Sequence, residues 1–99
     1  MKPCVVIPCF NHSGTVAAVA QAALRHAPVI VVDDGSTEAL PELADCDVVR
    51  LKPNGGKAAA LRAGFQRATE RGFTHAITMD ADGQHFAEDL PKFLAGAAQ

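Results

Sequence analysis

The sequence predicts a single α/β domain built on a parallel sheet, and three observations lead there. Short apolar runs rich in β-branched residues alternate with longer stretches whose apolar residues recur at helical spacing. One of those runs, Val29-Ile30-Val31-Val32, is apolar without interruption, the pattern of a strand buried on both faces of a parallel sheet. The intervening lengths suit right-handed helical crossovers, and 99 residues are enough for one core but short for an enzyme with two substrate sites.

Cys4-Val5-Val6-Ile7 forms the first run, and Pro8 is expected to end it because proline donates nothing to a sheet ladder. The loop Cys9-Phe10-Asn11-His12 follows. Ser13 or Asn11 is placed to cap a helix in which Val16, Val19, Ala20, Ala23 and Leu24 share a face, running to about His26. Pro28 closes the connection to the second strand, Val29 to Val32. In Asp33-Asp34-Gly35-Ser36-Thr37 the glycine permits a sharp turn, and Ser36 or Thr37 is expected to cap a short helix through about Ala44, with Pro41 near its first turn.

Val48-Val49-Arg50-Leu51 is a third strand, less apolar and expected at an edge. Pro53-Asn54-Gly55-Gly56-Lys57 reads as a flexible loop leading into a helix from Ala58 to about Arg71. Ala60, Leu61, Gly64, Phe65 and Ala68 lie on one face of it, and Gly72 stops it. Ala76 to Met79 is the fourth strand. A last helix is expected with Pro91 in its first turns and Leu90, Phe93 and Leu94 docked on the sheet.

A composition 48% hydrophobic and 20% charged belongs to a globular chain. With a formal charge of -2 and no run of Lys or Arg, the electrostatic footprint of a nucleic-acid binder is missing, so no nucleic-acid partner is expected. No apolar run approaches the roughly 18 to 20 residues of a bilayer span, and no leader pattern opens the chain, so no membrane segment and a cytoplasmic location are expected. Cys4, Cys9 and Cys46 are odd in number and lack C-x-x-C spacing, which argues against a disulfide framework or a zinc site. Cys4 and Cys9 read as small apolar residues, with an active-site thiol at Cys9 as the minor alternative.

The chemistry concentrates where strands end. Ala76-Ile77-Thr78-Met79 runs directly into Asp80-Ala81-Asp82-Gly83-Gln84-His85. Two carboxylates one residue apart repel, and a hard divalent cation with oxygen ligands and phosphate would relieve them. The same residues also fit an Asx-type turn that merely reverses the chain. In parallel sheets ligands bind beyond the carboxyl ends of the strands. Here those ends carry Pro8-Cys9-Phe10-Asn11, Asp33-Asp34-Gly35-Ser36 and Asp80-Ala81-Asp82, with the loop from Asn54 to Lys57 and the first helix N-terminus expected to offer a cation and free amides nearby. His12 and His85 have no metal-spaced partner and read as surface histidines.

Four segments taken together, Val5 to Asn11, Val29 to Ser36, Asn54 to Leu61 and Met79 to His85, closely resemble the donor-binding half of family 2 glycosyltransferases, nearest the dolichyl- and polyprenyl-phosphate sugar transferases. The resemblance covers nearly the whole chain. It implies a GT-A, Rossmann-like three-layer α/β/α fold with a mostly parallel sheet in the order 3-2-1-4, and a nucleotide-diphosphate sugar, UDP- or GDP-linked, as donor. It further implies that Pro8 and Phe10 line the base and ribose pocket with Asn11 in the same loop, and that Asp34, with Asp33, receives the base; Asp33 also reads as a cap on Ser36 or on the following helix, away from any ligand. Asp80 is implied near the ribose or the metal, Asp82 and Gln84 as ligands of Mg2+ or Mn2+, and Lys57 as a group reaching the phosphates.

Family members carry a further half with the acceptor site and a general base. These 99 residues offer no base to assign, so the chain alone is expected to be inactive. The order 3-2-1-4 leaves strand four unpaired on one side, from which a homo-oligomer through that edge is expected. Two other readings fit parts of the sequence. One is a haloacid-type phosphohydrolase using Asp80 as nucleophile and Asp82 as acid/base, although Gln84 departs from its motif. The other is a non-catalytic nucleotide-binding or assembly module.

Overall fold

The computed structural model describes residues 2–11, 14–37, 40, 43, 45–51 and 55–79. Six elements follow one another: β1 (Pro3–Cys9), α1 (Val16–Leu24), β2 (Val29–Asp33), β3 (Asp47–Arg50), α2 (Lys57–Glu70) and β4 (His75–Thr78). The four strands form one sheet in the order β3-β2-β1-β4, and every pairing is parallel. The fold class is therefore the one expected from the sequence pattern, and the strand order the one that the family resemblance implies.

The alternation of side chains along β1 and β2 divides the interior into two layers. Val5, Ile7 and Cys9 with Val29 and Val31 face α1, where Val16, Ala20 and Ala23 meet them. Cys4 and Val6 with Ile30 and Val32 face α2, where Ala60 and Ala68 cover them. Full burial of each Val or Ile contributes about 1.5–3 kcal/mol, so these two central strands carry most of the core.

Small residues let α2 lie close to the sheet. A Cβ placed on Gly64 would run into Cγ1 of Val6 and come within 3.2 Å of Cγ2 of Val32. The edge strand β3 is tied to α2 by Asp47, which meets Arg67 Nε at 3.7 Å and Arg71 NH1 at 3.3 Å. Both arginines are substantially exposed, so each pair is worth less than about 1 kcal/mol and fixes position more than stability. Among the described residues the outer edge of β4 has no strand partner.

Pro8 does not end β1, contrary to expectation. It pairs with Val32, and the strand continues to Cys9. In a parallel strand alternate residues bond to opposite neighbours. Val5 N–H donates to Pro28 and Cys9 C=O accepts from Asp34, both on the β2 side, whereas Val6 C=O accepts from Met79 on the β4 side. Pro8 shares the parity of Val6, so its missing N–H falls where the described β4 ladder has already finished, and no bond to β2 is lost.

The expected cap of α1 also differs. Thr15 occupies the N-cap and makes no side-chain capping bond, while the Asn11 carboxamide is engaged elsewhere; Ser13 lies outside the described residues. α1 ends at Leu24 rather than near His26. β3 starts one residue before the expected position, as β4 and α2 also do. Most of the helix expected after Ser36, and all of the last helix with Leu90, Pro91, Phe93 and Leu94, lie outside the described residues.

Candidate functional site

Parallel pairing brings the carboxyl ends of the strands to one rim. Cys9 is opposite Asp33, and Asp34 N–H donates to Cys9 C=O at 2.9 Å, so the loops after β1 and β2 leave side by side. Met79, just past β4, donates its N–H to Val6 C=O at 3.1 Å. Asp80 follows it in sequence, and the expected metal ligands Asp80, Asp82 and Gln84 lie outside the described residues.

The loops after β1 and β2 are locked by side chains. Asn11 has φ 56°, a left-handed conformation that asparagine tolerates better than most residues. Its Oδ1 accepts from Thr37 N–H at 3.0 Å and from the Thr37 hydroxyl at 3.1 Å, while Asn11 N–H donates to Ser36 Oγ at 3.0 Å. Asn11 is therefore a clasp between two loops rather than a helix cap. Next to it Phe10 is 44% exposed, which excludes a core role and leaves an aromatic ring on the rim.

Asp33 and Asp34 are both buried and serve different partners. Asp33 Oδ1 accepts Ser36 N–H at 2.9 Å, an Asx-type turn that closes the loop around Gly35, whose φ is 72°. Asp34 reaches across the sheet edge: Oδ1 accepts Gly55 N–H at 2.8 Å and Oδ2 accepts Gly56 N–H at 2.9 Å. Both amides are thus taken by a carboxylate of the chain itself. Lys57 opens α2 directly after them.

No buried side-chain nitrogen or oxygen among the described residues lacks a hydrogen-bond partner. No group of three or more His, Cys, Asp or Glu side chains among them is arranged to hold a metal ion. Cys4, Cys9 and Cys46 form no disulfide; Cys4 and Cys9 are buried and Cys46 is half-buried. Burial raises the Cys4 thiol above its ordinary value; for Cys46 burial acts first and neighbouring Asp45 adds to it. A protonated, buried Cys4 is a packing residue.

The structure thus brings Pro8, Phe10, Asn11, Asp33, Asp34 and Lys57 to elements that end or begin at one rim. The cap from Asp33 to Ser36, one of the two readings of Asp33 in the sequence, is present, and its signal was the Asp-x-x-Ser spacing of an Asx-type turn. Sequence reasoning missed the contact of Ser36 with Asn11 and the parts played by Thr37, Gly55 and Gly56. Nothing local announced the contacts from Asn11 to Thr37 or from Asp34 to Gly55, which span 26 and 21 residues.

Comparison with known proteins gives a consistent picture. The family model described as "Glycosyl transferase family 2" matches residues 4–99. The chain is 31% identical over 102 residues to a polyprenol monophosphomannose synthase of Mycolicibacterium smegmatis, covering 91% of this chain and 38% of that protein. It is 30% identical over 105 residues to an undecaprenyl-phosphate mannosyltransferase of Micrococcus luteus, covering 95% and 43%. Similarity extends to an undecaprenyl-phosphate 4-deoxy-4-formamido-L-arabinose transferase of Pseudomonas paraeruginosa, 34% identical over 96% of this chain and 32% of that protein. The chain thus spans about a third to two fifths of the length of these curated relatives. No helix among the described residues is long and apolar enough to cross a membrane.

Proposed function

The chain belongs to glycosyl transferase family 2, and from that membership we propose that it binds the donor, a nucleotide-diphosphate sugar, for glycosyl transfer to a polyprenyl phosphate. The acceptor class is taken from the relatives, which are named for polyprenol or undecaprenyl phosphate. A match of this extent leaves the aspartyl-phosphohydrolase reading without support.

One observation carries the proposal: the loops after β1 and β2 and the start of α2 are held together at the carboxyl edge of a parallel sheet by Asn11 and Asp34. That edge is where this architecture binds nucleotides, because helix starts and loop amides gather there. Phe10 presents an exposed ring on which a nucleobase would stack, and Pro8, two residues before it in β1, would line the same pocket. Lys57 at the first turn of α2 brings a cation to the same rim for the diphosphate.

Asp80, Asp82 and Gln84 form an all-oxygen donor set, the kind that suits Mg2+ or Mn2+ and disfavours softer metals. Asp82 and Gln84 would hold the ion, and Asp80 would serve the ribose or the ion. A bound divalent ion supplies Lewis-acid stabilisation of the departing nucleoside diphosphate. The chain's own residues bind the base, orient the diphosphate and present the sugar carbon to the acceptor oxygen.

Calorimetric titration of the chain with UDP, GDP and their sugars, with and without Mn2+, tests the proposal. Metal-dependent heat with at least one nucleotide, lost in Asp82→Ala, is expected. Absence of heat with every nucleotide in the presence of Mn2+ would overturn it in favour of a non-catalytic assembly module.

A further inference from the structure

We infer that Asn11 is a positioning residue for base selection: by tying the loop after β1 to the loop after β2, it holds the Phe10 ring in a fixed relation to Asp33 and Asp34. The inference rests on the proposed donor binding and names the residue that makes that binding selective.

Two ties close a small circuit at the rim. At its inner end Asp34 N–H donates to Cys9 C=O at 2.9 Å. At its outer end Asn11 N–H donates to Ser36 Oγ at 3.0 Å, and Asn11 Oδ1 accepts from Thr37 N–H at 3.0 Å and from the Thr37 hydroxyl at 3.1 Å. Between the ties stand Phe10 on one side and Gly35 on the other, so Phe10, 44% exposed, is the large apolar side chain of the circuit. Ser36 carries the connection on to the acids, since its N–H donates to Asp33 Oδ1 at 2.9 Å. One continuous set of bonds therefore joins the residue beside Phe10 to the Asp33 carboxylate, and neither loop can shift alone.

The chemistry explains why such a tie bears on selectivity. An aromatic platform accepts any base, because every base has a flat face to stack. A hydrogen bond to an acid is directional, so it discriminates only where ring and acid are held at one separation. The clasp supplies that separation. It does so from behind the site, because a carboxamide oxygen has two lone pairs and Thr37 engages both, which leaves none of them for a ligand. Asn11 also stands at φ 56°, a conformation that asparagine tolerates better than most residues with a side chain, so this one residue supplies both the turn and the acceptor.

Positioning for the base and general support of the rim predict different ligand profiles. In the presence of Mn2+, the affinities of the wild-type chain, Asn11→Gly and Thr37→Val are measured for UDP, GDP, ADP and inorganic pyrophosphate, which has no base. Asn11→Gly keeps the left-handed backbone and removes both bonds to Thr37. It is expected to weaken the preferred nucleotide roughly tenfold and the other two less, and to leave pyrophosphate unchanged. Thr37→Val, at an exposed position, removes one of the two bonds and is expected to act in the same direction by a smaller factor. Combined with Phe10→Ala, Asn11→Gly is expected to cost less than it does alone, because the ring it places is gone.

An equal loss for all four ligands, pyrophosphate included, marks a general loosening of the rim; it overturns the inference and leaves donor binding standing. A wild-type chain that binds UDP, GDP and ADP equally, a preference that Asn11→Gly leaves as it was, or additive losses in the double variant overturn it as well. If the wild-type chain binds none of the four, the donor-binding proposal itself fails and the inference with it, and that result is read before any variant is made. Should Asn11→Gly not fold, Thr37→Val decides by the same comparison: a flattened preference with pyrophosphate intact supports the inference, and an even loss or no loss overturns it.

Discussion

Gly64 of α2 lies against Val6 of β1 so closely that no side chain fits between them. The contact sets the height of α2 above the sheet, and with it the level at which Gly56 and Lys57 meet the rim. Adding a methyl has two opposing effects. Alanine gains about 1 kcal/mol in helix propensity over glycine, while overpacking a buried contact costs about 1–3 kcal/mol. Because Val6 is fully buried in a central strand, it has little room to yield. Gly64→Ala is therefore expected to destabilise the chain by about 1 kcal/mol, read as a lower urea midpoint with an unchanged slope. A midpoint at or above wild type would place the helix farther from the sheet than described.

Asn11 supports two separable effects. Its left-handed backbone favours Asn or Gly, and its carboxamide oxygen holds Thr37. Asn11→Gly keeps the first and loses the second; Asn11→Ala loses both and is expected to be less stable than Asn11→Gly by about 1 kcal/mol. Both variants should weaken nucleotide binding through the loosened loop after β2. Equal stability of the two would show that the backbone conformation at Asn11 costs nothing.

The thiols give a pH prediction. Burial raises the Cys4 pKa, so the folded state holds that proton more tightly than the unfolded chain. Stability from this source is complete below the unfolded thiol pKa and is lost as pH rises through the folded one. A fall in unfolding free energy is expected above about pH 8.5, the unperturbed thiol value, smaller in Cys4→Ala. At pH 8, Cys46 should react with iodoacetamide before Cys4 and Cys9, which lie in the core. Early labelling of Cys4, followed by mass spectrometry, would contradict the burial described.

Much of the fold was legible in the sequence because its signals are local. The uninterrupted run Val29–Val32 marked a central strand, and alternation with helical spacing marked the crossovers that put every strand parallel. Pro8 misled because its effect depends on which neighbour the residue faces, and that parity is fixed only by pairing. The site divided in the same way. Asp33 to Ser36 is a local turn and could be read from spacing, whereas the Asn11 and Asp34 contacts join loops more than twenty residues apart and became visible only once β1 and β2 were registered. The D-x-D segment, the strongest chemical signal in the sequence, lies outside the described residues.

In the proposed function donor and metal meet at the carboxyl edge of the sheet. Amide resonances of the labelled chain, titrated with Mn2+ and a saturating nucleoside diphosphate, test it most directly, because the paramagnetic ion broadens nearby signals. Broadening is expected at Asn11, Ser36 and Gly55 and not at Thr74, which is bonded to Lys2 at the opposite end of β1. Broadening centred on Lys2 and Thr74, with Asn11 and Gly55 unchanged, would place the metal at the other end of the sheet and rule this edge out as the donor site.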